Sequence, residues 1–209
     1  MSFVGPDKLF TETSAAYHEV GHFVIAHEVG LPQQECRIFF EPHLNRWHGE
    51  IVTIDLGFLE NLMNSRKHAL IAVAGYLSQA RYIAELEYGS KVRIKGASDT
   101  KLLDAFLTSS RTEDSPGELD LEFGDSTERH LQLTFDGRMF SSMDARSLRQ
   151  AMSASTELTT AQIEKDVVNL INRSEVWDWI ERVAGALIAS SDIGGGRKSI
   201  SIDRIAKLR

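Results

Sequence analysis

Residues Ser14 to Val29 read SAAYHEVGHFVIAHEV, and the rest of the chain can be placed relative to them. Thr13 and Ser14 are cap residues. Gly30 and Pro32 close the segment, because glycine accepts the left-handed cap conformation and proline cannot continue a helix. The stretch therefore reads as an amphipathic helix carrying His18-Glu19-Val20-Gly21-His22. Side chains four apart lie on one helical face, so both imidazoles can approach one metal ion. Glu19 is turned about 100° from His18 by the helical period. That offset lets its carboxylate reach a water beside the ion instead of the ion itself.

Outward from this helix, Arg37 to Phe40 and Gly49 to Ile54 are short β-branched or aromatic runs. Separated by Glu41 to His48, they read as a hairpin. From Leu59 to Leu86, apolar residues recur at helical spacing (Leu70, Val73, Leu77, Ala80, Ile83 among them), and Gly89 closes this long helix. A third helix is expected from Ser98 to Ser109. Arg129 to Phe135 reads as a short strand, Asp144 to Ala154 as a short helix. Leu158 to Asn172 and Val176 to Ser190 form an antiparallel helical pair, with Trp177, Ile180, Val183, Ala184 and Leu187 on one side of the second. From Gly194, a glycine hinge leads into a short basic tail. The expected fold is a single α+β domain, mostly helical.

The 209 residues carry 23 Lys+Arg against 30 Asp+Glu, a formal net charge of −7. That balance argues against nucleic-acid or anionic-membrane binding, which needs a basic face. The segment Thr112 to Glu128 (TEDSPGELDLEFGDSTE) contains no Lys or Arg and accounts for the whole excess. It reads as a mobile acidic loop, and its position after the third helix suggests either a flap near the metal site or a solubilising surface loop. The N-terminus lacks signal-peptide character, and the longest nearly apolar run, Ala69 to Leu77, is about half the roughly 20 residues of a membrane span. A soluble, cytoplasmic protein is expected. Cys36, the only cysteine, excludes a multi-cysteine metal cage and sits in an apolar run as a core residue. Zn²⁺ would have to be held by histidine and carboxylate.

A zinc hydrolase needs a third protein ligand and one open position. Ile25 and Glu28 stand where an extended metzincin motif would have Gly and His, which excludes that class. Glu41 and Glu50, near the hairpin loop, are candidates for the third ligand, and so is the more distant Asp99. His43, His48 and His68 lie in loop or surface contexts. His130 follows the acidic segment, and Trp177 and Trp179 read as core or interface residues.

Ser14 to Ala26 (SAAYHEVGHFVIA) resembles the zinc-binding helix of the FtsH family of ATP-dependent proteases. Ala72-Val73-Ala74-Gly75-Tyr76 through Glu85 is similar to that family's alanine–glycine-rich second motif. Gly96-Ala97-Ser98-Asp99 is similar to its glycine–alanine–asparagine–aspartate motif, although one residue shorter. Gln79 stands where the family tends to have Glu. The resemblance implies His18, His22 and Asp99 as zinc ligands and Glu19 as general base. Without a G-x-x-x-x-G-K-[ST] motif (Gly194-Gly195-Gly196-Arg197-Lys198-Ser199 lacks the Gly-Lys pair), it implies an ATP-independent zinc metalloendopeptidase acting on unfolded or flexible polypeptides. A homo-oligomer would fit a ring-forming family; a separate ATPase partner is not indicated by the sequence. The competing class is a proteolytically inactive zinc-binding regulatory or scaffold protein of the same fold.

Overall fold

Helix α2 (Glu12–Glu28) follows a short strand β1 (Ser2–Val4) and a single helical turn α1 (Pro6–Leu9). Thr11 caps it, its Oγ1 accepting from the Ser14 amide at 3.1 Å, two residues before the expected cap. Gly30, at φ 72°, and the Leu31 amide bonded to the Ala26 carbonyl at 2.8 Å close it, as the Gly30–Pro32 signal predicts. The helix is not amphipathic in place. Ala16, Val20, Phe23, Val24, Ile25 and Ala26 are all fully buried, and His18, Glu19 and His22 between them are only 6–9% exposed. Its neighbours α3 (Ser65–Tyr88), α6 (Ser174–Ile188) and the hairpin of β2 (Gln33–Glu41) and β3 (Arg46–Thr53) surround it.

The remaining elements are β4 (Val92–Ala97), β5 (Gly117–Phe123), β6 (Ser126–Phe135), α4 (Ser142–Ser153), α5 (Thr160–Ile171), β7 (Arg197–Ser201) and α7 (Ile202–Ala206). This computed structural model describes residues 2–4, 6–31, 33–53, 64–97, 103, 117–123, 126–135 and 141–209. The expected helix over Ser98 to Ser109 lies outside them apart from Leu103, which is helical and buried. The described residues form an α+β architecture, mostly helical, with two small sheets. One sheet has the order β3-β2-β7 and is antiparallel; the other, β1-β6-β5-β4, is antiparallel except for the parallel β1–β6 pair.

Helices α2 and α3 pack closely because Gly21 faces Ser78. A β-carbon at position 21 would lie 2.4 Å from the Ser78 Oγ and 2.8 Å from the Ala74 carbonyl oxygen. The long helix ends where glycine was expected to end it, with Gly89 at φ 62°. The helical pair is present as α5 and α6, and the tryptophans are core: Trp177 packs beneath the Arg81 guanidinium at 4.1 Å, and Trp179 donates to the Ile205 carbonyl at 3.3 Å. Cys36 is fully buried in β2, and burial pushes its thiol pKa well up, as a structural cysteine requires. Among the described residues no helix is long and apolar enough to cross a membrane.

Two expectations need correction. The acidic stretch is not a loop throughout, since Gly117–Phe123 is the inner strand β5 and Ser126 to Glu128 open β6. Glu118, Asp120 and Glu122 alternate with Leu119, Leu121 and Phe123, a two-residue period that the density of acids masks. Nor is the glycine run a hinge. The Asp192 carboxylate accepts from the amides of Gly194, Gly196 and Arg197 at 2.7–3.1 Å, holding the three left-handed glycines as a turn. That turn returns the chain as β7 along β2, and α7 follows.

Candidate metal centre

His18 and His22 project from α2 onto the N-terminal turn of α4, where Asp144 meets both. His18 Nε2 lies 3.0 Å from Asp144 Oδ2, and His22 Nε2 lies 3.1 Å from Asp144 Oδ1. Asp144 is held at this point because Ser141 caps α4, its Oγ accepting from the Asp144 amide at 3.0 Å, and because α4 packs on α3. Among the described residues, His18, His22 and Asp144 are the group able to hold a metal ion. Two imidazoles and one carboxylate are a donor set suited to Zn²⁺ or another first-row divalent cation.

The outer contacts test this fit. His18 Nδ1 lies 2.9 Å from Gln79 Oε1, and His22 Nδ1 lies 2.6 Å from the Ile71 carbonyl oxygen. Both partners only accept, so each Nδ1 must carry a proton and donate it. In a neutral imidazole that leaves the lone pair on Nε2, the atom facing Asp144, as in ligating histidines whose second nitrogen is tied by hydrogen bonding. The residues present therefore fit a divalent ion. Space is provided by glycine: a β-carbon at Gly75 of α3 would lie 2.3 Å from His22 Nε2, so any side chain there would displace the ring.

Burial works against charge on His22, but the Asp144 carboxylate more than offsets it and raises the imidazole pKa to about 9. The same burial would raise the Asp144 pKa, yet His22 and His18 hold it well below the usual carboxylate range. Because the folded pKa of His22 is raised above 6.5, its pairing with Asp144 stabilises the metal-free protein fully below pH 6.5 and is lost as pH rises through about 9. A metal needs the Nε2 lone pair, so it must displace that proton. Zinc affinity should therefore climb from neutral pH to about 9. Calorimetric titration in buffers of different ionisation enthalpy at neutral pH should register release of about one proton or more per zinc ion.

Glu19 is buried beside the two histidines. Desolvation raises its pKa, a shift that His18 and His22 only partly counter. Gly49 of β3 makes its pocket: a β-carbon there would sit 2.1 Å from Glu19 Cγ and 2.7 Å from the Arg37 carbonyl oxygen. The carboxylate is thus placed under the hairpin, outside the ligand set.

No protein-family model and no curated protein matches the chain.

Of the residues singled out from sequence, His18, Glu19 and His22 come together. Glu41 does not join them, because its two carboxylate oxygens contact His43 and His48 at 2.9 Å on the hairpin. Glu50 is turned to Arg37, 3.3 Å away. Ser98 and Asp99 lie outside the described residues, although Gly96 and Ala97 of the same motif end β4, and the His130 side chain is likewise not described. Asp144 is the carboxylate that sequence reasoning overlooked. Three residues after Ser141, it has the signature of an ordinary capping acid, and nothing local marks it as a ligand. Gln79 carried a weak signal, a polar residue within the buried face of an otherwise alanine-rich helix.

Proposed function

We propose that this protein is a zinc-dependent, ATP-independent metalloendopeptidase, related in its peptidase motifs to the FtsH family. The observation that carries the reading is the convergence of two histidine Nε2 atoms on one carboxylate, with a buried glutamate beside them. His18, His22 and Asp144 would hold the ion, leaving a position open to water and substrate. A bound zinc ion supplies Lewis acidity, acidifying a water toward pKa of about 7 and polarising the scissile carbonyl.

Glu19 performs the proton transfers. Its carboxylate takes a proton from the water as the oxygen attacks the carbonyl carbon, and delivers that proton to the amide nitrogen as the C–N bond breaks. Burial raises the Glu19 pKa in the metal-free protein, the direction that strengthens a carboxylate as a base. Gly49 keeps β3 close over Glu19, and the Gln79 and Ile71 oxygens hold the histidine rings in orientation.

The test is cleavage of a permanently unfolded protein by the zinc-loaded chain without ATP. Cleavage should stop with phenanthroline and return with added zinc. Bound zinc without cleavage would point instead to a proteolytically inactive regulatory or scaffold protein.

A further inference from the structure

Gln79 lies on α3 and is buried at 4% exposure, with every amide atom engaged. Its Nε2 donates to the Leu9 carbonyl and to Ser14 Oγ, both at 2.7 Å, while its Oε1 faces His18 Nδ1 at 2.9 Å. The Leu9 carbonyl can only accept, so the NH₂ end of the amide must point there. The oxygen is then committed to His18, whose Nδ1 must be the donor.

We infer that Gln79 is a positioning residue for the metal centre: held unflippable by the Leu9 carbonyl, its amide locks His18 in the Nδ1–H tautomer and presents a bare Nε2 to the ion. The inference rests on the metal-site reading above. It also gives a reason for an amide at this position. A carboxylate could still accept from His18 but would set a second oxygen against the Leu9 carbonyl. The same corner of the chain braces the site twice, because the next carbonyl, that of Phe10, accepts from the Trp47 amide at 3.0 Å on β3, two residues before Gly49.

Two variants separate positioning from packing. Gln79→Met, close in volume but without polar atoms, should weaken zinc binding about 10- to 100-fold in competition with a chromophoric chelator. Gln79→Glu keeps the acceptor for His18, so its zinc affinity should stay near that of the parent chain while its Tm falls through the clash with the Leu9 carbonyl. A residue that merely packs would lower Tm in both variants and leave zinc affinity unchanged in Gln79→Met.

Two-bond 15N–1H correlation spectra of the unaltered protein give a readout independent of any variant's folding. The His18 proton should sit on Nδ1 in the zinc-loaded form. A proton on Nε2, or parental zinc affinity in Gln79→Met, would overturn the proposal. If the unaltered chain takes up no zinc, the metal-site reading falls and this inference with it, whereas zinc bound at parental affinity in Gln79→Met overturns this inference alone.

Discussion

Glu19→Gln should leave zinc bound at parental affinity and abolish measurable peptide hydrolysis. The carboxylate is outside the His18–His22–Asp144 cluster, so the ligand set survives the change. The amide is nearly the same shape, so the pocket beneath Gly49 is still filled. What is lost is the proposed general base, and general-base catalysis is worth about 10²–10⁴ in rate. The measurement pairs elemental analysis of the purified variant with its rate on an unfolded protein substrate. Proteolysis surviving at more than about a tenth of the parental rate would remove Glu19 from the mechanism. Loss of zinc together with activity would move Glu19 into the ligand set.

Asp144→Ala is expected to have the larger effect on metal content. Asp144 supplies the sole carboxylate that the described residues bring to both histidine nitrogens. Its removal should cost at least the roughly 10- to 100-fold in affinity that follows loss of an outer partner. The metal-free protein also changes. Without Asp144 the burial of His22 is opposed only by Glu19 and the Ile71 carbonyl, so its pKa should drop from about 9 and stability at mildly acidic pH should fall relative to the parent. The FtsH-like motif implies Asp99 as the third ligand, so Asp99→Ala is the informative partner experiment. If Asp144 is the ligand, Asp99→Ala keeps its zinc. The reverse outcome, zinc kept in Asp144→Ala and lost in Asp99→Ala, would transfer the role to the family-like aspartate.

The elements most legible in the sequence were those whose signals are local. The central helix, its glycine terminus, the long second helix ending at Gly89 and the C-terminal helical pair follow from periodicity and from stop residues within a few positions. The strands β5 and β7 were missed because their local character points elsewhere. One is crowded with acids and the other follows three glycines, and only pairing with β4 and β6, or with β2, makes them strands. Strand preference depends on neighbours more than helix preference does. Even for α2 the surroundings overrode the pattern, since a helix read as amphipathic is enclosed on all sides.

By itself the sequence determined the two histidines and the adjacent glutamate, because a four-residue spacing on a helix is a geometric statement that needs no partner. The tertiary structure alone decided the rest. Asp144 reaches His18 across 126 positions and Gln79 across 61, while Gly49 and Gly75 matter only for what a β-carbon would strike in another element. No periodicity records such distances. They exist once burial of α2 among α3, α6 and the hairpin brings the distant segments to one point, where each polar group taken from water must find a partner.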